Sequence, residues 1–309
     1  MECSKTTKRL YYEELRLLLK DTFEAIHRLK KICANPKTHY VFINDHIGDI
    51  VISLGYLRAF RERIYANSIT LVTTKKYKKI VEDYISDYED IIFLPQYELY
   101  RVFLINATVF GEKYLLKEYP NVTIINPADS AKLGFDYLRL FPEMNLAKMI
   151  RYGCYALSDT AIFKPLPKLH SSIKDNIALL TIEARTIETE EASLYEAIVP
   201  QLRNLGYEVY TNTEDGICLQ GTLPIYKTIH EIRDFVGNGV LIGTRNGLHD
   251  LLLYQECKVV AIYPENYEYG NLFSLDMLPN AFASYLELKR SGNNEFDIKK
   301  IMDFIRGDK

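Results

Sequence analysis

The stretch HYVFINDHIGDIVISLGYLRAF, residues 39–60, joins an apolar segment to an amphipathic helical pattern through a short polar turn. Residues 39–44 favour a strand, because a short apolar run bounded by polar residues is typical of buried strands. Apolar residues then recur at helical spacing from 49 to 64. A strand that passes directly into a helix is half of a βα unit, and repeated βα units predict a parallel sheet covered on both faces.

The same alternation continues along the chain in two blocks. The first block predicts strands at 39–44, 68–73, 90–94 and 121–126, with helices at 49–64, 75–86 and 144–158. The second predicts strands at 176–182, 207–210, 239–243 and 258–263, with helices at 189–204, 227–236, 246–254 and 295–306. The polar segment 163–176, which contains two prolines, separates the blocks. The sequence therefore predicts two Rossmann-like, doubly wound α/β domains, 1–165 and 166–309, that face each other across a cleft.

Composition excludes some classes of partner. The chain has 38 Lys and Arg against 41 Asp and Glu, a net charge of −3, so no global positive field attracts nucleic acid. Five widely spaced cysteines form no CxxC pair, and with no leader or long apolar span we expect a reduced, cytoplasmic protein.

Residues 8–33 form an amphipathic helical pattern, which we expect to pack on the first domain or to contact a membrane surface or a partner.

The polar residues 44–49, here called the acidic turn, follow the first predicted strand. Asp49 falls near the start of the helix, after Gly48, and His46 is the nearby group suited to titrate near neutral pH. Two interpretations of the acid stay open. Asp49 or Asp45 caps the helix, which is worth about 1 kcal/mol, or Asp49 acts as a general base on a substrate hydroxyl. On the second interpretation Asp49 and His46 are the candidate catalytic residues, and Asn44 and Gly48 form the acceptor-side turn.

A second polar segment, residues 244–250 within VLIGTRNGLHDLLLY, is here called the basic turn. It also follows a predicted strand and opens a helix, where free backbone N–H groups and the helix dipole favour an anion. The Arg245 guanidinium can bind a phosphate through two hydrogen bonds. The alternative is a surface ion pair between Arg245 and Asp250, worth under about 1 kcal/mol. We expect a diphosphate site formed by Thr244, Arg245, Asn246, Gly247, His249 and Asp250.

Arg185 follows the first strand of the second block and has the same strand-end placement as Arg245, so the two arginines are expected to flank one diphosphate. The chain has no Asp-x-Asp, no GxxxxGK[ST] loop and no GxGxxG that follows the first strand. We therefore expect no metal and no cofactor. A leaving diphosphate is then stabilised by arginine and helix N-termini.

Two motifs in this order resemble a known group of enzymes. GDIVISLGYLRAFRER, residues 48–63, resembles the N-terminal Gly-Asp signature of heptosyltransferase-like glycosyltransferases, and residues 206–264 resemble their donor-binding half. The second segment is also similar to bacterial polysaccharide-cluster transferases. The resemblance implies a GT-B fold, with Asp49 as the base and residues 244–247 as the donor-phosphate turn. The chain departs from the family pattern where Arg245 replaces an acid and where His249 follows Gly247 by two residues instead of three.

The resemblance further implies a metal-independent, inverting glycosyltransferase. Such an enzyme moves a sugar from a nucleotide-diphosphate donor to a saccharide or lipid-linked acceptor in surface polysaccharide synthesis. Two alternatives remain open at this point. One is a nucleotide-sugar epimerase of the same fold, and the other is a non-catalytic nucleotide-binding or partner module.

Overall fold

The computed structural model describes residues 20, 23–106, 117–125, 143–168, 176–184, 187, 192–213 and 218–307. The first sheet contains β1 (His39–Ile43), β2 (Ile69–Thr74), β3 (Asp90–Leu94) and β4 (Val122–Ile125). The second contains β5 (Ile177–Thr181), β6 (Glu208–Asn212), β7 (Leu223–Ile225), β8 (Val240–Thr244), β9 (Lys258–Tyr263) and β10 (Ser284–Lys289). We call the described residues up to 168 the first lobe and those from 176 the second lobe.

Helices connect these strands. In the first lobe they are α1 (23–32), α2 (Ile47–Ile64), α3 (Lys78–Glu82), α4 (Gln96–Asn106) and α5 (Leu146–Lys148), which continues as a π-helical turn over Met149–Cys154. In the second lobe they are α6 (Ala192–Asn204), α7 (Ile229–Val236), α8 (Gly247–Leu252) and α9 (Asn294–Arg306).

Both sheets are parallel throughout their described pairs, with spatial orders β3-β2-β1-β4 and β7-β6-β5-β8-β9-β10. Counted within each lobe, these are the strand orders 3-2-1-4 and 3-2-1-4-5-6 of doubly wound sheets. The predicted α/β architecture of two doubly wound sheets is confirmed. The direction of winding reverses between β1 and β4 and between β5 and β8, and ligands of such sheets bind outside the carboxyl ends of the strands at these switch points.

Some elements differ from the prediction. The single helix expected at 75–86 is divided into a 3₁₀ turn, α3 and a second 3₁₀ turn. The helix α4, Gln96–Asn106, was not among the predicted helices. The strands β7 and β10 were not predicted. β7 has only three residues, one of them Pro224, and lies at a sheet edge, where a proline without an N–H is tolerated.

The helix α1 is the described part of the pattern at 8–33. Its buried residues Ala25, Ile26 and Leu29 pack with Phe42 and Phe103 in one apolar cluster on the first sheet. Residues 8–19, 21 and 22 lie outside the described residues. The described part of the helix thus has the packing role, and no helix in the described part of the chain is long and apolar enough to span a bilayer.

The two lobes share a buried interface. One apolar cluster contains Leu54 and Leu57 of α2 together with Leu251 and Tyr254 of the second lobe. A charged contact lies beside it, where Arg233 of α7 is fully buried. Its guanidinium donates to Asp83 Oδ2 at 2.6 Å and to the Pro167 carbonyl oxygen at 2.6 Å. Arg233 therefore joins the second lobe to two separate parts of the first lobe, the end of α3 and Pro167.

Candidate functional site

The acidic turn and the basic turn meet at the lobe interface. A Cβ atom on Gly247 would lie 2.8 Å from Ile47 Cβ and 3.1 Å from Gly48 N. A Cβ atom on Gly48 would lie 2.7 Å from Asp250 Oδ2. Glycine permits this close approach because it has no side chain. The structure thus brings the two predicted motifs, about 200 residues apart in sequence, into direct contact at the starts of α2 and α8.

Neither acid of the acidic turn caps α2. The helix begins at Ile47, its N-cap residue is His46, and no side chain makes the capping hydrogen bond. Asp45 instead accepts a hydrogen bond from Thr74 Oγ1 at 2.8 Å and so ties the end of β1 to the end of β2. The N-cap interpretation of Asp45 and Asp49 is therefore wrong. Asp49 lies in the first turn of α2, where the helix dipole favours its negative charge.

Asp49 is buried to 4% exposure, whereas the side chain of His46 is 43% exposed. His46 Nδ1 lies 3.6 Å from Asp49 Oδ2, which is an electrostatic contact and too long for a hydrogen bond. Asn44 Nδ2 lies 3.0 Å from the same imidazole nitrogen. Asn44 Oδ1 accepts a hydrogen bond from Asp45 N at 2.7 Å, so the amide is held in place. The acidic turn therefore presents a sheltered carboxylate beside a half-exposed imidazole, a pair able to exchange a proton with a ligand hydroxyl.

The structure corrects the placement of Arg245. Its side chain is 3% exposed and forms an ion pair with Asp250, with Nη2 at 2.5 Å from Oδ1 and Nη1 at 3.1 Å from Oδ2. Nε donates to the Phe273 carbonyl oxygen at 2.8 Å, and Nη1 also donates to the Asn246 carbonyl oxygen. Because these acceptors belong to the protein, the guanidinium is not available to bind a diphosphate. The ion pair with Asp250, the alternative reading of the sequence, is confirmed, although it is buried.

The charges around this pair determine its protonation. Burial opposes the charge on Arg245, but the carboxylate of Asp250, with Tyr263 and Glu287, raises its pKa. Burial also raises the pKa of Asp250, Arg245 acts in the opposite direction, and the nearby charges of Asp49 and Glu287 raise it further. The pair is thus one cation surrounded by several acidic groups at the contact between the lobes.

Two further residues of the basic turn have structural contacts. Thr244 is fully buried, and its hydroxyl lies 2.9 Å from the Tyr195 hydroxyl. His249 is fully buried, with Nε2 at 3.1 Å from the Val260 carbonyl oxygen and Nδ1 accepting from Asn246 N at 3.3 Å. Burial, followed by the charge of Arg245, lowers the pKa of His249 to about 3. Thr244, His249 and Asp250 are thus buried in this structure, and their predicted contact with a donor stays a prediction that requires the basic turn to open.

Asn246 and Gly247 are the predicted donor residues that reach the surface. The Asn246 side chain accepts a hydrogen bond from Leu248 N at 3.0 Å, and so caps α8. Its Nδ2 donates to the Glu183 carbonyl oxygen at 2.9 Å. This bond joins the ends of β8 and β5 across the switch point of the second sheet. Arg185, two residues beyond Glu183, lies outside the described residues.

Glu287 of β10 is a site residue that the sequence did not indicate. Its carboxylate accepts from Leu275 N at 2.8 Å and from Ser274 Oγ at 2.9 Å, and it lies 2.5 Å from the Tyr263 hydroxyl. The only sequence signal is an acid at an inward position of SYLELK, and it is informative only once β10 is known. No group of three or more His, Cys, Asp or Glu side chains in the described part of the chain is placed to hold a metal ion.

No protein-family model matches the chain, and no curated protein matches it in sequence. Solved structures do match its fold. ADP-heptose LPS heptosyltransferase II of E. coli has 10% identity and a TM-score of 0.55, over 87% of this chain and 98% of that one. The E. coli heptosyltransferase WaaC with ADP has 12% identity and a TM-score of 0.55, over 88% of this chain and 100% of that one. The chain has the GT-B fold.

A third structure, the iron-containing dodecameric glycosyltransferase TibC from enterotoxigenic E. coli, has 10% identity and a TM-score of 0.56, over 84% of this chain and 64% of that one. The GT-B fold predicted from the resemblance is thus confirmed, whereas identities this low describe the fold alone. Within the GT-B fold, the acidic turn follows β1 and the basic turn follows β8, each beside the switch point of its sheet.

Proposed function

We propose that the chain is a glycosyltransferase that moves a sugar from a nucleotide-diphosphate donor to a hydroxyl of a saccharide or lipid-linked acceptor. The observation that carries the proposal is the meeting of the two polar turns at the carboxyl edges of both sheets in a GT-B fold. Ligands of doubly wound sheets bind at such edges. The match over nearly the full length of two heptosyltransferases supports the fold on which the proposal rests.

In the proposed reaction Asp49 accepts the proton of the acceptor hydroxyl, and the resulting oxygen attacks the anomeric carbon of the donor. The bond from that carbon to the phosphate oxygen breaks, and the nucleoside diphosphate leaves as an anion. A single displacement inverts the anomeric configuration. His46, which is half-exposed and 3.6 Å from Asp49, then carries the proton between Asp49 and solvent.

The residues proposed to bind the donor differ from those predicted from the sequence, because the Arg245 guanidinium is already paired with Asp250. We place the diphosphate near Asn246 and Gly247, the part of the basic turn that reaches the surface, with Arg185 as the proposed cation. Since Gly247 touches Ile47 and Gly48, the two lobes must separate at this contact for a nucleotide to enter. Arg245 then holds the turn through its bond to the Asn246 carbonyl oxygen.

Three finer points belong to the same proposal. The reaction needs no divalent cation, the acceptor belongs to surface polysaccharide synthesis, and the amphipathic sequence pattern at 8–33 brings the enzyme to a membrane or a partner. Treatment with a chelator is expected to leave turnover unchanged within twofold of the untreated enzyme, and restored activity on addition of metal would contradict this point.

The test begins with nucleotide binding and ends with turnover. We expect one of UDP, GDP, CDP or ADP to raise the melting temperature, because a ligand bound to the folded state stabilises it. With the matching sugar donor, Asp49→Asn should lower turnover by about 100-fold or more while nucleotide affinity stays unchanged, since the base acts after binding. Asp303→Asn, on the surface helix α9, is the control. Full turnover in Asp49→Asn would overturn the assignment of the base.

A second candidate is favoured by the closed contact between the turns. The Arg245–Asp250 pair and the contact of Gly247 with Ile47 lock the donor turn against the first lobe. This arrangement suits a non-catalytic module that retains the fold and presents a fixed surface to a partner. Absence of a thermal shift with every nucleotide would favour this candidate, whereas release of an epimeric sugar from the donor alone would favour an epimerase.

A further inference from the structure

A cavity of about 420 Å³ lies between the two lobes at a place separate from the polar turns. Tyr56 of α2 and Arg151 of the π-helical turn form the first-lobe wall, and Asp276 and Asn280 belong to the second-lobe wall. No described residue of the acidic or basic turn lines it. Its volume is within the range of about 300–1,000 Å³ that is typical of small-molecule sites. It therefore has the size and position of a ligand site that contacts both lobes.

The charged groups that line the cavity balance in sign. Lys148 and Arg151 are cationic, and Asp159 and Asp276 are anionic. Arg151 Nη2 donates to Asp159 Oδ1 at 2.6 Å, and Lys148 Nζ donates to the carbonyl oxygen of Glu143 at 2.8 Å. An anionic ligand would meet the two carboxylates, and a cationic one would meet the two bases. The cavity therefore favours a ligand without net charge that both donates and accepts hydrogen bonds.

Arg151 has hydrogen-bonding capacity that the protein does not use. Its guanidinium stacks on Tyr152 at 4.2 Å from the ring centroid and is hydrogen-bonded to Asp159, to the Tyr152 hydroxyl and to Tyr56, so only its Nε, which is sealed from solvent, has no hydrogen-bond partner. Buried N–H donors are rarely left unpaired, because an unmade hydrogen bond costs about 1–3 kcal/mol. A ligand oxygen, reached by a small rotation of this side chain, would supply the missing acceptor.

Aromatic rings form the apolar part of the wall. Tyr56 and Phe163 both line the cavity, with their ring centroids 4.9 Å apart in an edge-to-face arrangement. Both rings are nearly buried, at 3% and 4% exposure, so a sugar ring would meet only the part of this wall that reaches the cavity, with its C–H groups on the apolar surface and its hydroxyls toward the polar groups. The mixture of aromatic rings and paired charges in one cavity matches this chemistry.

The backbone around the cavity departs from regular geometry at three places. The π-helical turn Met149–Cys154 contains Arg151. Such turns are rare in proteins as a whole, and those that occur are often at functional sites. Ala156 and Asn280 have left-handed backbone angles, with φ of 46° and 60°. A non-glycine residue in this region costs energy, and such residues cluster at ligand sites. The π-helical turn, through Arg151, and Asn280 thus line the cavity from the two lobes, and Ala156 follows the π-helical turn by two residues.

We propose that this cavity binds a neutral polyhydroxylated ligand, one or two sugar rings of a saccharide, held by Arg151, Lys148, Asp159 and Asp276. The ligand contacts both lobes, so its binding stabilises their closed arrangement. The inference goes beyond the proposed glycosyl transfer. It concerns a site without Asp49 or the basic turn, and it holds whether or not the chain transfers sugars.

The test measures saccharide binding to the full chain without nucleotide. A panel of neutral mono- and disaccharides, with glucose 6-phosphate and glucosamine as charged comparators, is screened by saturation-transfer NMR and then by calorimetry. We expect neutral sugars to bind and to raise the melting temperature. Asp159→Asn and Lys148→Met should each weaken binding by about tenfold, the effect of one charge-assisted hydrogen bond.

Both substitutions suit the fold, since the Asp159 side chain is 81% exposed and the Lys148 ammonium forms its hydrogen bond to Glu143 at an exposed position. Lys299→Met and Asp303→Asn, from an exposed ion pair on α9, are the matched controls and should bind as the parent does. Equal binding in parent and cavity variants, no binding by any neutral sugar, or preference for a charged comparator would each overturn the proposal. Saccharide binding in a chain that binds no nucleotide would refute the transferase proposal and leave this one supported.

Discussion

The acidic turn and the basic turn have the same local architecture but opposite environments for their charged residue. Each follows a buried parallel strand, contains a glycine and opens a helix. In the acidic turn, Asp49 lies beside a half-exposed histidine. In the basic turn, Arg245 is held by Asp250 inside the lobe interface.

The difference comes from the charged side chain that lies beside Arg245 and beside Asp49. Asp250 lies five positions after Arg245, on α8, and its carboxylate satisfies the guanidinium from within the protein. In the described part of the chain, Asp49 forms no ion pair with an arginine or lysine, and the basic group beside it is His46, whose side chain is half-exposed. A strand-end position thus places a charge at the edge of the sheet, but its nearest partner determines whether that charge faces a ligand.

The largest expected effect follows from breaking the buried pair. Asp250→Ala leaves the Arg245 charge in a site that is 3% exposed, so we expect the free energy of unfolding to fall by about 3–5 kcal/mol. Chemical denaturation measures it. Arg58→Met on α2 removes an ion pair whose partners are 67% and 68% exposed, and should cost less than about 1 kcal/mol.

The double variant Arg245→Met/Asp250→Leu sharpens this result, because it removes both charges and keeps apolar volume. Replacing both members of a buried pair is often neutral, so we expect it to be more stable than Asp250→Ala. A cost for Asp250→Ala no larger than that of Arg58→Met would show that the pair does not stabilise the lobe interface.

A smaller effect is expected from a methyl group at the contact between the turns. Gly247→Ala places a Cβ 2.8 Å from Ile47 Cβ and 3.1 Å from Gly48 N, so the lobes must shift apart, at a cost of about 1–3 kcal/mol. Gly153→Ala is the matched control, because a Cβ there meets nothing within 4 Å. Thermal unfolding and small-angle scattering should show a less stable, more open molecule only for Gly247→Ala. Equal behaviour of the two variants would refute the tight contact.

The fold could be predicted from local pattern because most strands are short apolar runs between polar residues, whether at a sheet edge, as β3 is, or inside the sheet, as β9 is. The predicted bounds of β3 at 90–94 and β9 at 258–263 agree with the structure, since each is a short apolar run between polar residues. The edge strands β7 and β10 escaped prediction. β7 contains only three residues, one of them a proline, and the apolar residues of β10 are interrupted by Glu287, so that strand has no continuous apolar run.

From the sequence, the position of the candidate site could be predicted, but not which of its charged side chains face a ligand. The strand-turn-helix pattern placed Asp49 and Arg245 at the sheet edges, and the structure brings their turns together. The burial of Arg245 depends on contacts with Phe273 and on the packing of Gly48 against Asp250, which join segments far apart in sequence. Such long-range packing leaves no local signal, so the pattern could not show that the cation faces inward.

The smallest effect we predict concerns His249, the buried histidine that supports the basic turn. Burial, then Arg245, lowers its pKa to about 3 in the folded state, whereas an unfolded chain has a histidine pKa of about 6.5. As the pH falls below about 6.5, His249 binds a proton in the unfolded state but stays neutral in the folded state. The free energy of unfolding therefore falls by up to about 1.4 kcal/mol per pH unit. His39, whose pKa burial lowers to about 4, contributes in the same direction.

His249→Gln removes this titration and keeps an N–H donor for the Val260 carbonyl oxygen. Denaturation curves between pH 7 and pH 5 should therefore show a shallower loss of stability for this variant, with the slope that remains due in part to His39. Val199→Ala, a buried apolar change in α6, lowers stability without altering any titrating group and should keep the parent slope. An unchanged slope in His249→Gln would mean that the imidazole reaches solvent in the folded state and that the basic turn is more open than its contacts with Val260 and Asn246 indicate.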